Sequence, residues 1–416
     1  MAKICFYFQV HQPYRLRKYT LFDATHSDQY FDVALNKEIF IKVANKCYLP
    51  ANEMFVQLLK NHPELKICFS LSGVFLEQAI EYYPEVIESF QKLVKTGQVE
   101  ILSETYYHSL SSVYSKNEFT EQIKKHKTLI KKLFQKTPQV FRNTELIYSN
   151  QIGETITELG YTGMLTEGVD RILDWRSPNY LYSHPNNSLK LLLKNYQLSD
   201  DIAFRFSDKN WKDHPLNATK FTDWINHLKT DEIVNLFMDY ETIGEHQWAD
   251  SGIFEFFKNL PNQLLNSGHS FITPSEVIKN CETKGIIDVP EYISWADSER
   301  DLSAWRSNSI QHEALSKLFS LEKIVKSINN KQLIEKWKLL TTSDHFYYMC
   351  TKFWADGDVH KYFSPYNSPF DAYIYFMNAV KDLEWRILKL NLPKQTTKKL
   401  IRKPTKSLLK AKPAKS

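Results

Sequence analysis

Glu145 and Asp239 are the two residues of this 416-residue chain whose type and setting are best suited to chemistry. Each follows a run that reads as a strand: Val140 to Thr144, which ends on an arginine and an amide, for the first, and the apolar Ile233 to Met238 for the second. Arg142, Asn143 and Glu145 together suggest a polar pocket at a strand end, where a turn would call for Gly, Asn or Asp. Capping of the following helix, or pairing with Arg142, is the structural alternative for Glu145. Asp239 precedes Gly244, which permits a tight turn. Two carboxyl groups at one site have their pKa values driven apart, leaving one ionised to attack and one protonated to donate. That division of labour is glycoside hydrolysis, and in its retaining form, with the groups about 5–5.5 Å apart, the ionised one becomes covalently glycosylated.

The elements that would position these groups alternate between strand-like and helix-like runs. Strands are expected at Lys3 to Val10, Lys66 to Leu71, Gln98 to Ser103, Val140 to Thr144, Thr162 to Thr166, Asp201 to Phe206 and Ile233 to Met238. Between them lie amphipathic stretches such as Glu121 to Gln135, with Ile123, Leu129, Ile130, Leu133 and Phe134 on one face and lysines on the other. Seven strands with helical crossovers imply a parallel α/β sheet that right-handed connections let close into a barrel. Residues Thr20 to Leu59 exceed one crossover and are expected to hold extra helices beside the rim.

Polar residues gather at the expected C-terminal strand ends: His11 and Gln12, Glu100 and Glu104 of the third strand, Glu145, Glu167, and Asp239 with Glu241. In barrels of parallel strands this rim carries the active site.

Composition narrows the classes. The chain is 43% hydrophobic and 14% aromatic, enough for a large core with aromatic platforms to spare for sugars. The last 23 residues, Lys394 to Ser416, hold nine Lys or Arg and no acid, so the net charge of +5 becomes −4 without them. They read as a solvated basic tail, and no other feature points to nucleic acid. Five scattered cysteines without a C-x-x-C pair read as reduced thiols of a cytosolic protein. The N-terminal run Ile4 to Val10 lacks a basic leader and is too short for a membrane helix, so a cytoplasmic chain without membrane contact is expected. No two of the 13 histidines stand three or four apart, which argues against a metal-dependent deacetylase on a similar barrel. Asp356-Gly357-Asp358 lacks the other ligands of a calcium loop and reads as a turn. No metal or cofactor is expected.

Five ordered stretches carry a family resemblance: His11-Gln12-Pro13, Gly97-Gln98-Val99-Glu100-Ile101, Arg142-Asn143-Thr144-Glu145, Asp239-Tyr240-Glu241-Thr242-Ile243-Gly244, and Ser294 to Asp301. Together they resemble the sequence regions of glycoside hydrolase family 57. The resemblance implies an incomplete seven-stranded (β/α) barrel followed by a helical region, a retaining mechanism on α-glucans, and no metal. By position it makes Glu145 the nucleophile and Asp239 the acid/base. The run Trp295 to Gln311, with Trp305, Asn308 and Gln311, is most similar to the α-amylase group, although resemblance does not separate hydrolysis from a 4-α-glucanotransferase or branching-type transfer. Retention of both carboxylates argues against a non-catalytic glucan-binding homologue.

For substrate contacts, His11, Gln12 and Glu100 are expected at the sugar next to the scissile bond. Trp295, Asp297, Arg300, Asp301 and Trp305 are expected to lean over the cleft, and Trp175 could be a lid platform or the buried anchor of a surface loop. Asp344 to Met349 could reach the cleft from the helical lobe. The expected division is a catalytic barrel at 1–260, a helical segment and lobe completing the cleft at 261–390, and a basic disordered tail at 391–416.

Overall fold

The computed structural model describes residues 1–186, 188–228, 232–352 and 364–391; the tail from Lys394 and the Asp356-Gly357-Asp358 turn lie outside the described residues. Ten strands are described: β1 Lys3–Val10, β2 Ile67–Leu71, β3 Val99–Ile101, β4 Val140–Arg142, β5 Gly163–Glu167, β6 Leu181–Ser183, β7 Lys190–Lys194, β8 Ile233–Asp239, β9 Ser270–Phe271 and β10 Thr283–Ile286. They form two sheets, one ordered β3-β2-β1-β8 with β9 also on β1, the other β10-β6-β7-β5-β4; every pairing is parallel except β6 with β7.

Two junctions join the sheets into a barrel. On one side Ser103 bridges to β4, its N–H donating to Val140 (3.0 Å) and its carbonyl accepting from Arg142 (2.8 Å). On the other, the Asn195 N–H donates to the Asn235 carbonyl of β8 (2.9 Å), and the Asn235 side-chain amide donates to the Leu193 carbonyl of β7 (2.8 Å). Strands β1, β2, β3, β4, β5, β7 and β8 thereby make an incomplete seven-stranded ring, the α/β barrel expected from the sequence.

The strands are buried on both faces, as a barrel covered by helices requires. Alternation along each strand sorts the side chains. Ile4, Phe6, Phe8 and Val10 of β1 join an outer core beneath the helices, whereas Cys5 and Tyr7 point inward with Cys68, Leu102, Val140, Leu165, Leu192 and Phe237. The inner apolar layers end in polar residues at the C-terminal rim: continuing the period of two gives Gln9, Glu104, Arg142, Glu167, Lys194 and Asp239.

One expected strand is displaced. Residues 201–206 fall at the end of the helix Tyr196–Ala203, and the sixth barrel strand is Lys190–Lys194. Ile202, Phe204 and Phe206 imitate a period of two, but Asn195 caps a helix there by accepting from Leu198 N (3.1 Å). Elsewhere strands and amphipathic stretches fall where expected: Glu121 to Gln135 lies in the helix Lys116–Phe134, capped by Ser115 and ended by Gln135 at φ 56°. The Thr20 to Leu59 insertion holds the helix Val33–Val43 and most of Leu49–Asn61, joined through Ala44–Tyr48. Gly244, at φ 107°, lies so close to that joint that a Cβ would stand 2.1 Å from the Lys46 carbonyl oxygen.

Beyond the barrel, helices Ser309–Ser320, Lys331–Leu340 and Pro369–Asn391 share one apolar core with the outer faces of β4 and β5, including Phe141, Met164, Trp337 and Phe376. Asn308 and Gln311 close a capping box at the first of these helices. Asn235→Ala should destabilise the fold by about 1–3 kcal/mol, because the buried Leu193 carbonyl loses its donor where the sheets meet; thermal unfolding at fixed pH checks this.

Candidate active site

Along the rim a cleft of about 570 Å³ is lined by His11, Gln12, His108, Glu145, Lys194, Asp200, Asp239, Glu241, Trp295 and residues of the helical region. Glu145 leaves β4 through a turn in which it adopts φ 54°, ψ 27° and Leu146 φ 52°. Left-handed backbone at two successive non-glycine residues is costly, and such strain clusters at functional sites. The turn is held by Leu146 N donating to the Asn143 carbonyl (3.0 Å) and by the Asn143 amide donating to the Ile147 carbonyl (2.9 Å).

The Glu145 carboxylate accepts from His108 Nε2 on one oxygen (2.8 Å) and from the Trp295 indole N–H on the other (2.7 Å). Trp295 is fixed in turn by its own backbone N–H, which donates to the Glu145 carbonyl (3.1 Å), and Arg142 lies 4.8 Å from its ring centre. Burial works to raise the Glu145 carboxyl, but the hydrogen bond and charge of His108, the charge of Arg142 and the indole N–H prevail, and its pKa is lowered. The fully buried Arg142 guanidinium makes no hydrogen bond of its own, so its charge acts on the site through space.

His108 also donates from Nδ1 to Glu104 (3.2 Å), which accepts from Gln9 (3.3 Å). Burial opposes its charge, yet the two carboxylates raise its pKa to about 9, so it stands between them as an imidazolium at neutral pH. The His11 ring stacks on it at 4.0 Å, with its nitrogens on Ser72 Oγ (2.7 Å) and Asp344 (3.0 Å). Burial and the charge of His108 lower the His11 pKa.

Asp239 ends β8 on the inward face. Burial first, and the Glu145 charge second, push its pKa up to about 6, and neighbouring Glu241 is pushed by burial and the Asp239 charge to about 8. The site therefore pairs one ionised carboxylate with one that holds a proton in mildly acidic solution.

The structure brings His11, Gln12, Trp295, Asp297, Arg300 and Trp305 to the cleft with Glu145 and Asp239. Asp344, Tyr347 and Tyr348 reach it from the helical region as expected. Gln12 is held by Tyr48 (3.2 Å) and Arg15 (3.1 Å), and Asp297 pairs with Lys352 (3.2 Å). Arg300 binds Glu167 (2.9 Å) and Asp200 (3.2 Å), fastening the 295–301 loop to the end of β5 and to the helix Tyr196–Ala203 that follows β7.

Three expected contacts need correction. Glu100 points inward, but from the lower end of β3, about 13 Å below Glu104 along the strand; it accepts from Ser275 N (3.0 Å) and Oγ (2.9 Å), away from the cleft. Asp301 accepts from Ser303 N (2.7 Å) and shapes a helix start. Trp175 is 87% exposed and does not line the cleft. Sequence reasoning missed His108, whose only signal is its place four residues after the rim carboxylate Glu104, and Lys194, which was hidden by the displaced strand.

Among the described residues no group of three or more His, Cys, Asp or Glu is placed to hold a metal ion, and no helix is long and apolar enough to cross a membrane.

The model of glycosyl hydrolase family 57 matches residues 5–290, which includes both carboxylates. The chain belongs to this family. As a member it is an α-amylase-like glycoside hydrolase. A Methanocaldococcus jannaschii protein named "Putative alpha-amylase" is 44% identical over 400 residues, covering 93% of this chain and 85% of its own length. The fold is shared with a family 57 branching enzyme of Thermococcus kodakaraensis (TM-score 0.69, 13% identity, 94% of this chain and 90% of that one). It is also shared with the 4-alpha-glucanotransferase of Thermococcus litoralis (TM-score 0.62, 17% identity, 83% and 56%).

Trp295→Phe keeps an aromatic ring but removes the donor to Glu145. The acid limb of the pH–rate profile should then move to higher pH, because a carboxylate that loses a hydrogen bond binds its proton more tightly. Initial rates on a soluble glucan across pH check this.

Proposed function

We propose that this chain hydrolyses α-1,4-linked glucans with retention of configuration, Glu145 acting as nucleophile and Asp239 as acid/base. The observation that carries the reading is the opposite tuning of the two carboxyls, with Glu145 lowered and Asp239 raised to about 6. In the first step Glu145 attacks the anomeric carbon as the glycosidic bond breaks, and Asp239 gives its proton to the departing oxygen. In the second, Asp239 takes a proton from water, which attacks the same carbon and releases Glu145. His108 and the Trp295 N–H keep the nucleophile ionised and oriented, while His11 and Asp344 face the sugar beside the scissile bond. The substrate is a maltooligosaccharide, starch or glycogen.

The catalytic unit comprises the barrel of residues 1–260 with the helical region 261–390 completing its cleft, a division supported by Trp295, Arg300 and Asp344 lining that cleft. Five free, buried cysteines suit the reducing cytoplasm.

Size analysis of products from maltoheptaose tests the reaction class. Shorter products alone mean hydrolysis, longer ones mean transfer to another glucan, and unchanged substrate rejects the enzyme reading. Glu145→Ala should lower turnover on the order of 10⁴-fold or more with the fold retained. With natural glucans kcat/KM should fall as pH rises through about 6, where Asp239 loses its proton, and on the acid side below 4.5, where Glu145 gains one. With a glycosyl fluoride, which needs little acid help, the limb near pH 6 should vanish.

A further inference from the structure

Phe204 is a large aromatic side chain on the cleft wall whose exposure the barrel does not explain. It follows the helix Tyr196–Ala203, lines the same cleft as Arg205 and Asp239, and is 60% exposed, although Ala203 before it and Phe206 after it are buried. Its backbone is firmly held. The Phe204 N–H donates to the Asp200 carbonyl (2.9 Å), Arg205 pairs with Asp201 (2.7 Å), and the Asp200 carboxylate is gripped by Lys194 (2.8 Å) and Arg300 (3.2 Å). The Gln247 amide donates to the Ala203 carbonyl (2.8 Å), which brings in the segment carrying Trp248, itself 58% exposed. A bare ring on a held backbone in the lining of a polar cleft is a platform for the apolar face of a sugar, which stacks on aromatic carbon while its hydroxyls stay in water.

Phe204 follows β7 and Trp248 follows β8, the strand that ends in Asp239. His11, His108 and Asp344 lie on the other flank, around Glu145. The acid stands against the oxygen of the departing chain, so the wall that continues from Asp239 runs along that chain. Resting on the proposed glucan hydrolysis, we infer that Phe204 is the stacking platform for a glucose unit of the leaving chain, a specificity-determining residue outside the reacting pair.

The test compares two substrates. In maltoheptaose, sugars occupy both sides of the scissile bond; in α-maltosyl fluoride the leaving side carries fluoride alone. For Phe204→Ala, kcat/KM on maltoheptaose should drop roughly tenfold, the worth of an aromatic stacking contact. Initial fluoride release should stay at the wild-type rate, and Phe204→Trp should restore the maltoheptaose value. An equal fall on both substrates, or no fall on maltoheptaose, overturns the inference while leaving the hydrolase reading intact. A wild-type protein inactive on both defeats that reading and this inference with it.

Discussion

Keeping a carboxylate charged in a largely enclosed setting is the constraint on which this site depends, because burial alone would protonate it. The barrel meets it with His108, which bridges Glu104 and Glu145 at 3.2 and 2.8 Å, with the uncommitted charge of Arg142, and with the Trp295 indole N–H at 2.7 Å. The same ionised group helps to raise Asp239, so the two pKa displacements are coupled halves of one electrostatic arrangement. Glu104 is essential to this balance: without a second carboxylate on the imidazole, the desolvation of His108 would meet less opposition.

Register delivers these groups to one place. Parallel strands put their C-terminal ends at the same rim, and alternation aims every second side chain inward. The lower positions pack apolar layers around Tyr7, Leu165 and Phe237, while the last positions carry Glu104, Arg142, Glu167, Lys194 and Asp239. The ring is incomplete, so its sixth and seventh strands are joined by asparagines where a continuous ladder would otherwise run. One wall of the cleft then comes from outside the barrel, through the 295–301 loop that Arg300 ties to Glu167 and Asp200.

What sequence reading reached follows from the range of the physics involved. β1 was legible residue for residue, since Ile4 to Phe8 is an unbroken apolar run, and Glu145 and Asp239 stood out as carboxylates at the ends of strand-like runs. The sixth strand was not, because Ile202, Phe204 and Phe206 alternate like a strand while the Asn195 cap starts a helix before them. Glu100 shared the inward face but not the height, a distinction that requires knowing where β3 begins relative to the rim. His108 carried only a faint local signal, four residues after Glu104; its value lies in contacts with Glu145, 37 positions away, and with His11 across the ring.

The central claim is that Glu145, and not Asp239, becomes covalently attached to the sugar. A 5-fluoro glucosyl fluoride slows breakdown of such an intermediate more than its formation, and mass spectrometry of the digested protein can then locate the attached sugar. The account predicts a single glycosylated peptide containing Glu145, absent from Glu145→Ala. A sugar attached through Asp239, or turnover with inversion and no attached sugar, would contradict it.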